Sequence, residues 1–292
     1  MANNLIFLCL MCCFSGYSQR VLLFANGYLG PKEDKTPRNN GINLHPNRSW
    51  HEYNDSSVQS FQPLGSLPGY WYCYDDTLIK RFKPKAALYV SGHHPISTST
   101  HRSKVCYFLS WLFTKILFIR SKNGFGLNKR PNPKGFNLRY ENGKICGRNM
   151  LRFLKDSLPS VGERDTLDIV CHSMGYAYTL GILSQIDTRF HLGKILILSP
   201  ESPRQMGYDW NRFEEVWQYG SNLGEKKADL IVFQDGIAPQ AAVKNLDQLL
   251  PGKGGRLFVP KTAPRGSYYS HHLSKFDWFL SIRPGDYGYF GP

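Results

Sequence analysis

The sequence predicts an α/β fold: a mostly parallel central sheet with helices on both faces. Three features predict it. Short apolar runs of strand composition recur along the chain, at residues 21–24, 86–90, 167–170, 194–198, 228–233 and 256–259. Segments of helical period stand between several of them, and such alternation buries a parallel sheet on both faces. The third and sharpest feature is residues 166–180, TLDIVCHSMGYAYTL. Here a buried-strand run passes through Cys171, His172, Ser173, Met174 and Gly175 into Ala177, Leu180, Leu183 and Ile186 at helical spacing.

Composition bounds the answer. The chain has 292 residues and is 41% hydrophobic, so it is globular and can bury a sizeable core. The reading is one domain over 20–292, with insertions at 31–72 and 92–141. The net charge is +14, and +12 of it falls between His101 and Lys155, where thirteen Lys or Arg accompany the single acid Glu141. A basic field confined to one region favours an anionic surface, such as a membrane, as partner for 101–155; it is equally the pattern of a solvated face. Nucleic acid is the least favoured class. The aromatics of this region sit in an apolar run, not interleaved on a strand platform.

Residues 1–19 carry no charged side chain, and 5–14 (LIFLCLMCCF) form a ten-residue apolar run, too short to span a bilayer. With small residues at Gly16 and Ser18, this reads as a short signal peptide over 1–19, and hence as secretion or export to the periplasm. The competing reading is a buried N-terminal element. Of seven cysteines, Cys73, Cys106, Cys146 and Cys171 would survive cleavage. A Cys73–Cys106 or a Cys73–Cys146 disulfide is open to an exported chain. Cys171, beside Ser173, reads as a packed thiol.

Taken in order, 21–24 is the first buried strand and Asn26-Gly27 ends it. Residues 31–72, rich in Asn, Pro, Gly and Ser, read as an irregular excursion. Residues 75–82 start acidic and end basic, as the helix macrodipole favours. Residues 86–90 form the next strand. His93, His94 and His101 follow, but no acid or cysteine stands at ligand spacing, so they read as loop residues and no metal or other cofactor is expected. Residues 105–119 (VCYFLSWLFTKILFI) are apolar, with the single charge Lys115 and basic flanks. That composition fits an interfacial helix, a lid over an acyl pocket, or a helix buried in a cap. Residues 123–140 read as a basic loop and 147–158 as the helix before the central strand. After the run at 194–198 come a polar aromatic segment with Trp210 and Trp217, the strand 228–233, a helix carrying Ala241, Val243, Leu246, Leu249 and Leu250, and a last strand at 256–259. A final helix follows His272.

A strand, a tight turn with serine at its apex, then a helix is the setting of a nucleophile elbow. The core His172-Ser173-Met174-Gly175 resembles the HSMG elbow of α/β-hydrolase lipases and esterases. Cys171 stands where the usual G-x-S-x-G pattern has glycine, and Asn26 where the family's first central strand has histidine. The resemblance spans 20–282 apart from the insertions, and implies a small hydrolase core with a basic, apolar cap. It also implies roles. Ser173 is the nucleophile, Asp235 the acid after its strand, and His272 the base, with His271 as the alternative base. The backbone amides of Tyr28 and Met174 form the oxyanion hole. The implied activity is hydrolysis of carboxylic esters, lipid esters among them. Acyl transfer by the same triad, or a catalytically inactive hydrolase fold used for binding, remain the alternatives.

Overall fold

A computed structural model of the chain describes residues 19–27, 42–43, 51–54, 57–60, 70–71, 74–92, 133–158, 161–162, 165–220 and 242–258. Nine strands are described: β1 (Arg20–Asn26), β2 (Ile42–Asn43), β3 (His51–Asn54), β4 (Ser57–Ser60), β5 (Ala86–Ser91), β6 (Thr166–His172), β7 (His191–Leu198), β8 (Glu215–Gly220) and β9 (Gly254–Phe258). Three α-helices accompany them: α1 (Tyr74–Phe82), α2 (Pro133–Ser157) and α3 (Gly175–Ile186). The strand order is β4-β3-β5-β1-β6-β7-β8-β9, with β2 also on β5. The six strands from β5 to β9 run parallel. The mostly parallel α/β architecture expected from the sequence is therefore present.

Strand alternation divides the side chains between two cores. In β1, Val21, Leu23 and Ala25 face the side covered by α2 and α3, with Met150, Leu154, Ile182 and Leu183. Leu22 and Phe24 face the other side, with Leu78 and Ile79 of α1 and with Trp71. Because side chains of a strand point alternately to opposite faces, such all-apolar runs need a layer on each side. Phe24 stacks on Tyr89 of β5, with ring centroids 4.9 Å apart.

The amino-terminal edge of the sheet is tied by charge. Arg20, opening β1, reaches both carboxylate oxygens of Asp168 in β6 (2.8 and 2.9 Å) and Glu214 just before β8 (3.0 Å). Asp168 is fully buried and also accepts from the Lys194 amide (2.7 Å). Burial pushes the Glu214 carboxyl up, but hydrogen bonds from Arg20 and His191 outweigh this and hold it below its usual range. Asp168→Ala would leave the guanidinium without its buried partner. The expected loss is about 3 kcal/mol, the low end for breaking a buried pair because Arg20 is partly exposed. The check is urea unfolding followed by circular dichroism.

The structure corrects four expectations from the sequence. The excursion 31–72 is not wholly irregular: β2, β3 and β4 lie within it and extend the sheet antiparallel beyond β5. The loop read at 123–140 gives way to helix α2 from Pro133 onward. Gly135, Gly143 and Gly147 look like breakers in sequence, yet Gly143 and Gly147 let α2 lie against the backbone of α3. The polar aromatic segment supplies a strand of its own, β8 (EVWQYG), between β7 and β9. Residues 228–233 themselves lie outside the described residues. The segment from 242 forms not an α-helix but a bridge at Lys244 and a 3-10 turn at Leu246–Gln248. Asn245 at φ +70° interrupts any helix there, while Val243 and Leu246 are buried all the same.

Cys146 is a free, buried thiol, so the Cys73–Cys146 disulfide does not form. Residues 1–18, the apolar run 105–119, the three histidines 93, 94 and 101, Cys73, Cys106 and the helix after His272 lie outside the described residues. Among those described, no helix is long and apolar enough to cross a membrane, and no group of three metal-ligating side chains gathers.

Candidate active site

The chain passes from β1 to β5 on one flank, then crosses back to β6 on the other side of β1. The carboxyl ends of β1 and β6 are thus a topological switch point, where open α/β sheets leave a crevice for ligands. Ser173 follows β6 there and Gly27 follows β1.

Ser173 has φ +58°, a left-handed conformation that a non-glycine residue adopts at a cost of about 1–2 kcal/mol. Three backbone bonds hold it. Its N–H donates to the Leu198 carbonyl at the end of β7 (3.0 Å), and its carbonyl accepts from the Tyr176 and Glu201 amides (3.2 Å each). Met174 then adopts helical angles and α3 begins at Gly175, so the helix amino terminus, with its amides not yet paired along the helix, stands directly beside the serine. The elbow closes only because its neighbours are small. A Cβ on Gly175 would lie 2.8 Å from the Asn26 carbonyl oxygen, and one on Gly27 would lie 2.7 Å from Ser173 Cβ. The strand–turn–helix setting read from the sequence is present, with serine at its apex.

The Ser173 hydroxyl donates to Oε1 of Glu201 at 3.1 Å. Both residues are buried, at 3% and 5% exposure. Glu201 sits in the turn after β7, flanked by Ser199 and Ser202, which also take left-handed angles (φ +41° and +45°). His172 is buried and its Nδ1 is engaged by the Tyr70 hydroxyl, so its ring turns toward the α1 side. Cys171 is a packed thiol as expected; burial pushes it up to about 12, so it stays neutral at pH 7.

Against the elbow lies a shallow recess, open to solvent and roomy enough for little more than a water molecule, lined by Phe136, Arg139, Met174, Ala177, Glu201 and Ser202. Arg139 of α2 is only 3% exposed; its Nε donates to Met174 Sδ (2.9 Å) and its Nη1 to the Gly135 carbonyl (3.3 Å). A buried cation and a buried carboxylate thus line one recess beside a hydroxyl.

Of the site residues expected from sequence, Ser173 and Met174 meet at the elbow. Tyr28, Asp235, His271 and His272 lie outside the described residues. Sequence reasoning passed over Glu201, Arg139 and Tyr70. Glu201 had a signal: it is the first charged residue after the buried run 194–198, and residues just beyond strand ends face the crevice in this architecture. Arg139 looked like one more member of a basic stretch.

No protein-family model matches the chain, and no curated protein matches it. The functional reading therefore rests on the site itself.

Proposed function

We propose that this chain is a serine hydrolase of the α/β-hydrolase kind, cleaving carboxylic esters through an acyl-enzyme. The observation that carries the reading is Ser173 in a left-handed conformation between β6 and α3, at the switch point of a mostly parallel sheet. A strained polar residue at that position places its hydroxyl at the carboxyl end of the sheet, beneath the crevice, and sets the Met174 amide close by. In this reading His272 takes the Ser173 proton, since an unassisted hydroxyl is a poor nucleophile. Asp235 holds the imidazole tautomer and faces the imidazolium. The amides of Met174 and Tyr28 receive the oxyanion of the tetrahedral intermediate. Water then releases the acyl group.

The test is covalent labelling with a fluorophosphonate, wild type beside Ser173→Ala, with and without liposomes to open a cap formed by the insertion at 92–141. Labelling of wild type alone supports an activated serine. No labelling of either protein in any condition overturns the reading.

A lipid surface as the place of action is supported by the outer face of α2. Lys134, Arg148, Arg152 and Lys155 outnumber the acids Glu141 and Asp156 on that exposed face, and Leu138 and Ile145 are 41% and 48% exposed. Basic residues around apolar ones suit the headgroup level of an anionic bilayer. The protein should float with anionic liposomes, lose most of that binding in high salt, and stay unbound with neutral ones; equal binding to both would remove the electrostatic argument.

A further inference from the structure

We infer that Glu201 is a second catalytic carboxylate of this site: it holds the Ser173 hydroxyl in the resting protein and faces the positive charge that forms when the base takes the serine proton. The inference rests on the hydrolase reading above. Its ground is the contact itself, since the Ser173 hydroxyl donates to Glu201 Oε1 at 3.1 Å and Oγ is the reacting atom.

The contact is built by the fold at several points. The Glu201 amide donates to the Ser173 carbonyl (3.2 Å), so the turn after β7 and the elbow after β6 are bonded through backbone as well as side chain. The Ser173 amide returns the tie to Leu198, at the end of β7. On either side of Glu201, Ser199 and Ser202 hold left-handed angles, and Ser199 does so directly before Pro200, where the following ring restricts it further. Two strained non-glycine residues within four positions persist only where the surrounding structure over-determines them, and such strain clusters at functional sites. Here its result is to bring one carboxylate onto one hydroxyl.

The chemistry follows from charge. In the attacking step the Oγ–H bond breaks, the proton passes to the imidazole of His272, and Oγ bonds the substrate carbonyl carbon. An imidazole close enough to accept from Oγ lies within a few ångströms of the Glu201 carboxylate as well. A carboxylate at that range favours the protonated imidazole and lowers the barrier to proton transfer. The charged group from a neighbouring element that lines the same recess is Arg139 of α2. On Glu201's own segment Arg204 is exposed, and the buried His172 ring is turned to Tyr70. Glu201 thus takes a part in the proposed reaction from the flank of the serine opposite the turn at Gly27.

The experiment compares wild type, Glu201→Gln and Glu201→Asp by fluorophosphonate labelling rate and by ester turnover against pH, with melting temperature as the folding control. Glu201→Gln keeps shape and removes charge. Its kcat should fall by roughly 10²-fold with KM little changed, the size typical of one acid–base participant. The acid limb of kcat/KM should move to lower pH, because the imidazole loses a neighbouring negative charge. Glu201→Asp should keep the limb in place while lowering kcat, and it serves as the second variant should the amide fail to fold. Wild type that labels, with both variants matching its rate and pH profile, overturns the role of Glu201 and leaves the hydrolase reading standing. Wild type that does not label overturns both.

Discussion

If the proposed triad operates, Ser173→Ala should lower ester turnover by about 10⁶-fold, the effect of removing a nucleophile from a triad that acts as a unit. The substitution should do this without dismantling the elbow. The three backbone bonds that hold residue 173, to Leu198, Tyr176 and Glu201, do not involve the side chain. Alanine at φ +58° is strained as serine is, so that cost is common to both proteins. What changes is Glu201, which loses the donor at 3.1 Å. Loss of one hydrogen bond to a buried carboxylate costs about 1.5–3 kcal/mol, which lowers the melting temperature by roughly 3–12 °C in a domain of this size. Steady-state turnover of a short-chain ester, paired with a thermal scan, separates the two effects. A variant within tenfold of wild type would mean that Ser173 is not the nucleophile, whatever its conformation.

Much of the central architecture was legible in the sequence because it is dictated by burial. Residues 21–24, 86–90, 167–170 and 194–198 lie between two layers, so, Asp168 and Lys194 apart, their positions are apolar and the run is visible without context. The elbow was legible for a related reason: only small residues fit where three backbones converge, and Gly175 stands out after a buried run. What the sequence hid was local polarity with tertiary purpose. β8 contains Gln218, which is fully buried because its side-chain oxygen accepts from the Val243 amide (2.9 Å). One such residue is enough to make EVWQYG read as a surface segment. The helix expected from Ala241 failed in the opposite direction. Its apolar spacing was real and Val243 and Leu246 are buried, but the left-handed Asn245 and the bond to Gln218 place them by a turn rather than a helix. Glu201 was the most consequential omission. A carboxylate after a strand is common, and only the adjacency of β6 and β7 turns this one toward Ser173.

The largest structural effect should come from the crossing of α2 and α3. Gly181→Val should lower stability by about 3 kcal/mol or more and the melting temperature by roughly 6–12 °C. A Cβ on Gly181 would sit 2.9 Å from Gly143 Cα and from the Lys144 amide nitrogen, and inside contact with the Tyr140 carbonyl oxygen. A Cβ on Gly143 would meet the backbone of Tyr178 in the same way. These obstacles are main chain and cannot swing aside, so the helices must separate. Separation has a chemical consequence, because α3 begins at the elbow and α2 carries Arg139 into the recess beside Met174. Labelling of Ser173 should therefore slow along with the loss of stability, although Gly181 lies well along α3 from the elbow. Gly162→Ala is the control. A Cβ there meets nothing within 4 Å, and its melting temperature should stay within about 2 °C of wild type. Were Gly181→Val to melt with the control, close helix contact would not be what holds the amino terminus of α3 against Ser173, and the position of the Met174 amide would have to be set by the strand side of the elbow alone.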